Sequence, residues 1–275
     1  IMPLDGFTLQ SGSVTVTLGS CWQNMGLYGG TGVLVEGGAL TITPSAAPPT
    51  AGVSMGILSE AGSADLNGKS AVHITGGTVS VEGNELLIPA TAVNDSSSTG
   101  ISGSSILVEG GTVTARGGDI TVEGADAEAT STAAVLSFGI GAGQLVIQGG
   151  TVTAQCGQIS CTDENIQTTR SAFFFEFEYD ENDYEAEKML TVSPKAPGAI
   201  AVRLGSAEAD AAEISGSPFT GKHVIGYDAL KQAAYFHSES AAPLTLTADP
   251  ASLTGGGTVS LTVGGPLAAQ PGSLS

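Results

Sequence analysis

Apolar and polar residues alternate in short runs on either side of a two-residue glycine corner. The pattern recurs as VLVEGGALTIT (33–43), VHITGGTVSVE (72–82), ILVEGGTVTAR (106–116) and LVIQGGTVTAQ (145–155). A weaker first copy, FTLQSGSVTVT (7–17), has Ser11-Gly12 at the corner. Aligned on the corner, four positions are apolar in every copy. Before it stand Phe7, Val33, Val72, Ile106 and Leu145, then Leu9, Val35, Ile74, Val108 and Ile147. After it stand Val14, Leu40, Val79, Val113 and Val152, then Val16, Ile42, Val81, Ala115 and Ala154. Alternation with a period of two predicts two short strands per copy, each burying one face. Glycine at the corner permits a positive φ and a sharp bend.

The corners are separated by 26, 39, 34 and 39 residues. Self-similarity at such a period is the mark of a solenoid, in which stacked units bury together what one unit cannot bury alone. The fold expected is all-β: a right-handed parallel β-helix (β-solenoid) over residues 1–170. The longer units are expected to span nearly two coils each. The outward positions, such as Thr112 and Thr114, carry hydroxyls that keep the surface wetted. The runs GGTG (29–32), STGISGSS (98–105) and SFGIGAG (137–143) read as strand and turn of a preceding face. A β-propeller is the main alternative, but its blades need regular spacing and about four strands per unit.

From Ser171 the glycine corner is gone. In FFFEFEYDENDYEAE (173–187), Phe175, Phe177 and Tyr179 alternate with Glu176 and Glu178, predicting a strand that closes the exposed end of the stack. Residues 171–242 are therefore read as a C-terminal cap. Within it, 189–204 reads as two strands around a Pro/Gly turn, and Tyr235 to His237 as part of a last strand. Short helical turns are expected only over 207–214 and 226–232. Residues 243–275 form a terminal hairpin or the truncated start of another module.

Composition narrows the function. The 275 residues include 40 Gly, and 13% are charged, with a net charge of -19; an average protein has about 25% charged residues. Eight Lys and Arg, spread from Lys69 to Lys231, make no basic stripe, so a nucleic-acid partner is not expected. No apolar run is long enough to insert in a membrane. Residues 1–6 lack the basic and apolar regions of a signal peptide and read as part of a mature or trimmed chain. Three cysteines leave at least one thiol unpaired. Cys156 and Cys161 could pair across a loop, or remain two small loop thiols. No Cys/His cluster supports zinc.

The GGTVTA motif at 110–115 and 149–154, the GIGAG run at 139–143 and the spacing of the copies resemble the β-helical repeats of a group of bacterial cell-surface proteins. These are described as adhesin-like or as containing a carbohydrate-binding domain. The segment 204–239 is similar to the region that often follows such repeats. PLTLTADPASLTGGGTVSLTV (243–263) looks like the opening strands of a bacterial Ig-like domain, which needs about seven. The resemblance implies an exported, modular protein at the cell surface or outside the cell. Its implied partners are glycans or host and cell-surface proteins. It brings no catalytic residues with it.

The chemistry in the chain is sparse. Exposed aromatics are the usual glycan platform, and the candidates are Trp22, Tyr28, Tyr179 and Tyr184. Trp22 and Tyr28 are read as sharing one Gly-rich loop, where covering the first end of the stack is a plainer reading than stacking on sugar. The densest acidic cluster, with Asp180, Asn182, Asp183 and Glu185, is a candidate calcium loop, since calcium takes several oxygen ligands within a short segment. It lacks the EF-hand glycine and spacing, and a solvated turn is the plainer reading; no other cofactor is expected. A carbohydrate-active β-helix enzyme would need paired carboxylates. Asp119, Glu123, Asp126 and Glu128, with Arg116 nearby, are the best candidates, against a plain charged loop. The corner acids Glu36 and Glu109 alternate with Thr75 and Gln148 and read as a solvated edge. The function expected is a non-catalytic surface or adhesin-like module. The alternatives are a glycan-binding module, or a polysaccharide lyase or glycoside hydrolase.

Overall fold

The computed structural model describes residues 6–59, 71–89, 94–123, 133–163 and 165–174 with their side chains, Phe175 by its backbone, and beyond it the backbone of several strands between 190 and 264. The described residues are all-β, with parallel strands in stacked sheets and no helix. The first layer holds β1 (Phe7–Leu9), β2 (Ser13–Thr17) and β3 (Gln23–Tyr28). The second holds β4 (Val33–Val35), β5 (Ala39–Thr43) and β6 (Val53–Ser59). The third holds β7 (Val72–Ile74), β8 (Thr78–Glu82), β9 (Leu86–Ile88) and the first half of β10 (Ser96–Val108). The fourth continues through β10 into β11 (Thr112–Arg116), β12 (Ile120–Val122) and the first half of β13 (Ala134–Ile147). The fifth adds β14 (Thr151–Gln155), β15 (Ile159–Ser160) and β16 (Gln167–Phe175).

Corner stacks on corner without a skipped layer. Val14, Leu40, Val79, Val113 and Val152 pair in one continuous parallel register, and so do Phe7, Val33, Val72, Ile106 and Leu145. Each repeat is therefore one layer, and the expectation of nearly two coils in the longer units is wrong. The additional residues of those units go into connecting loops and, in layers three to five, a third short strand (β9, β12, β15). The parallel pairing between layers also removes the propeller, whose blades are antiparallel.

The alternating pattern places the core as expected. Leu40, Val79, Val113 and Val152 are no more than 1% exposed, while Thr78 and Thr112 face solvent. Each buried aliphatic side chain contributes about 1.5–3 kcal/mol relative to exposure. A second, smaller cluster of Leu86, Ile88, Ile120, Val122 and Val135 fills the space beside β9 and β12.

Glycine at the corner is required twice over. At Gly111, φ is +83°, and a Cβ would also lie 2.6 Å from the carbonyl oxygen of Gly77 one layer below. At Gly110 the obstacle is the Thr75 carbonyl, 2.6 Å from the position of a Cβ. The first copy escapes the second constraint. No described atom lies within 4 Å of a Cβ at Gly12, and Ser11 replaces the first glycine where no described layer lies beneath.

Beyond residue 192 the strands pair antiparallel. β17 (Leu190–Val192) still runs parallel to β13, and β16 carries the parallel stack past residue 170. The next strands are β18 (Gly198–Leu204), β19 (Ala212–Ser215), β20 (His223–Val224) and β21 (Ala233–Ser240). β21 pairs antiparallel with β14 and with β18, and β20 pairs antiparallel with β17. The strands expected over 189–204 and around Tyr235 are present. β19 occupies part of the helical turn expected over 207–214, because pairing with β18 overrides local helix preference. The other expected helical turn, 226–232, lies outside the described residues. β22 (Thr245–Asp249) and β23 (Ser260–Gly264) form a separate antiparallel pair.

Val113→Asp should abolish the folded state, costing on the order of 4 kcal/mol or more, because it buries an unpaired charge. Thr112→Asp should shift stability by about 0.5 kcal/mol or less. Thermal unfolding followed by circular dichroism checks both, and equal effects would mean that the two faces are exchanged.

Candidate functional site

The sheet of β3, β6, β10, β13 and β16 carries a second repeat. Asn24, Ser54, Ser98 and Ser137 stand in register and point inward. After one outward residue, each is followed by a glycine: Gly26, Gly56, Gly100 and Gly139. These glycines face the opposing sheet at close range; a Cβ at Gly100 would lie 2.8 Å from the Arg116 nitrogen, and one at Gly139 2.6 Å from the Gln155 nitrogen. Next comes an inward apolar ladder of Leu27, Ile57, Ile101, Ile140 and Phe173, each at most 1% exposed.

The inward serines are satisfied by the facing turns. Ser54 Oγ accepts from the Asn84 N–H at 2.9 Å. Ser98 donates to the Asn84 carbonyl at 2.7 Å and accepts from the Gly118 N–H at 2.8 Å. Ser137 donates to the Gly118 carbonyl at 3.0 Å and accepts from the Gly157 N–H at 2.8 Å. The Asn84 amide continues the column downward, donating to the Gly19 carbonyl at 2.8 Å and accepting from the Ser45 N–H at 2.7 Å. One polar column thus ties all five layers together inside the core.

On β3 and β6 the residues between these inward positions and the glycines border a ligand-sized concavity. Met25 pairs with Met55, Gln23 with Val53 and Tyr28 with Leu58. Together they line a groove of about 400 Å³, within the usual range of about 300–1,000 Å³ for small-molecule sites. No charged side chain lines it. Asn24, at its floor, has its amide engaged by the Cys21 carbonyl and by the Cys21 thiol at 3.2 Å. One layer up, Ser97, Thr99 and Ser102 stand in register with Val53, Met55 and Leu58, and Thr99 is buried. Above that, Phe138 and Phe174 stack at 4.1 Å between ring centroids.

Of the aromatic candidates, Tyr28 lines the groove and Trp22 is 52% exposed in the turn before β3. They do not share a loop. β3 separates them, and its length sets them up to about 20 Å apart. Trp22 instead covers Gly52 of the second layer, where a Cβ would lie 3.0 Å from the indole. Tyr179 and Tyr184, and the calcium candidates Asp180, Asn182, Asp183 and Glu185, lie outside the described residues. Among the described residues no group of three His, Cys, Asp or Glu side chains could hold a metal ion. The groove residues Met25, Met55 and Leu58 were not singled out in the sequence. The signal for them was the recurrence of NMGLY (24–28), SMGIL (54–58), STGIS (98–102) and SFGIG (137–141).

The carboxylates weighed for catalysis act as links between layers. Arg116 bonds Glu82 in the layer below and, at 2.6 Å, Asp119 in its own. Burial pulls the guanidinium pKa down, but the hydrogen bond to Glu82 and the charges of Asp119 and Glu82 outweigh it, leaving the pKa above its ordinary value. Asp119 also accepts from the Gln158 N–H one layer up, at 2.9 Å. Glu36 accepts from the Gln10 amide at 2.8 Å, and Glu109 lies 2.9 Å from His73 Nε2. Glu123 is exposed, while Asp126 and Glu128 lie outside the described residues. Cys156 and Cys161 form no disulfide. Burial, partly offset by Arg170, pushes the Cys156 thiol pKa up.

No protein-family model matches the chain, and no similar protein was found among curated sequences or solved structures. No helix among the described residues is long and apolar enough to cross a membrane.

Ser98→Ala would leave a buried N–H and a buried carbonyl unpaired, at about 1–3 kcal/mol each. The melting temperature should fall by several degrees, with the strand signature retained below it. In timed alkylation at neutral pH, exposed Cys21 should react well before Cys156, as peptide mass mapping would show.

Proposed function

We propose that the chain is a rigid, non-catalytic structural or binding module of an exported bacterial surface protein. In this reading the layers close into a right-handed β-helix. Residues 171–242 cap it, and 243–275 begin an Ig-like module. The observation that carries the reading is the use made of the carboxylates. Glu36, Glu82, Glu109 and Asp119 are each engaged by a side chain of the stack, three of them across layers, so they serve as stitches. Outside them lies a face of Thr and Ser that needs no partner beyond water. Incubation with a panel of acidic and neutral polysaccharides should release neither reducing ends nor unsaturated sugars. Release from any of them would replace this reading with a carbohydrate-active enzyme.

A second reading, a glycan-binding module, is favoured by the groove. It offers the Tyr28 ring, two Met thioethers and a Gln23 amide without a charge, which suits a neutral sugar chain. On a glycan array, binding should concentrate on neutral glycans and be lost in Tyr28→Ala. Absence of binding to every glycan would remove this second reading.

A further inference from the structure

The first layer differs from the others. Among the described residues, β1, β2 and β3 each pair on one side only, so three strand edges lie free at the same end. Phe7, Val14 and Val16 pack on the core but stay partly exposed, whereas Val33, Leu40 and Ile42 in the next layer are at most 1% exposed. Exposed edges are usually blunted by charge or proline. Here no Asp, Glu, Lys or Arg occurs between Asp5 and Glu36, and no proline either. In a chain of net charge -19, this neutral end is where two copies approach with little repulsion.

A further layer in parallel register does not fit beneath it. In layers two to five, a Cβ on the first corner residue would lie 2.5–2.6 Å from the carbonyl oxygen of the layer below. Ser11 carries that Cβ. An in-register repeat, whether from this chain or from another copy stacked in the same direction, would drive a carbonyl into it.

An antiparallel partner brings its carbonyls to different places. The bonds from Ala39 N–H to Gly12 O and from Leu18 N–H to Thr43 O turn the even-numbered groups of β2 toward β5. By alternation, Ser13, Thr15 and Thr17 point their N–H and C=O groups at the free edge. We propose that the first layer is a homodimer interface in which β2 pairs antiparallel with β2 of a second copy across a twofold axis through Thr15. The two Thr15 residues exchange both backbone hydrogen bonds, and β1 of each copy faces β3 of the other. This is the self-complementary geometry of a twofold interface.

Sedimentation equilibrium of the full chain over a range of concentrations tests this. The wild type should fit a reversible dimer at twice the chain mass. Thr15→Pro removes the central edge N–H, and Thr15→Glu sets two like charges against each other. Each should raise the dissociation constant at least tenfold with an unchanged melting transition at dilutions where the wild type is monomeric. Ser11→Gly should leave it unchanged. A monomeric wild type, Thr15 variants that fold and dimerise normally, or a dimer tightened by Ser11→Gly would each overturn the proposal.

Discussion

Each layer of this stack lies about 4.8 Å above the one below, and that spacing governs almost every residue choice in it. Backbone hydrogen bonding holds the layers at this distance whatever the side chains are. A position that turns its Cα toward the neighbouring layer's carbonyl then has no room for a Cβ. Gly37, Gly76, Gly110 and Gly149 all sit in that situation. Moderately sized apolar side chains inside and hydroxyls outside follow from the same constraint, since each must pack on its own counterpart.

The interior obeys a second rule, set by the turns. Parallel strands satisfy one another, but the turns after β8, β11 and β14 present N–H and C=O groups toward the core. A buried backbone group without a partner is costly. Ser54, Ser98 and Ser137 supply the partners, and Asn84 extends the column to the first two layers. Buried serines here are structural cross-braces. The opposing glycines let the two sheets come close enough for these bonds to form.

The corner pattern made the inner and outer faces legible, because alternation on both sides of Gly-Gly fits a pair of half-buried strands and no helix. The layer count was not legible. A 39-residue spacing fits either two short coils or one coil with a third strand and long loops, and only the pairing of Val113 with Val79 and Val152 decides it. The serine column was hidden because STGISGSS and SFGIGAG read as strand and turn without showing which serines face inward. The groove was hidden for a related reason: NMGLY and SMGIL recur, but thirty residues apart, and only the pairing of β3 with β6 makes Met25 and Met55 neighbours. Trp22 and Tyr28 looked like a single loop because QNMGLY has weak strand character by itself. Their separation comes from pairing with β6.

The central claim is that each repeat is one layer in unbroken register. The most direct measurement is a spin-label distance between Thr41→Cys and Thr153→Cys, with Cys21, Cys156 and Cys161 changed to serine and excess unlabelled chain present. These outward positions are joined through Ser80 and Thr114. Three layer steps place their backbones about 14 Å apart. A separation of about 29 Å, as two coils per repeat would give, would contradict the account.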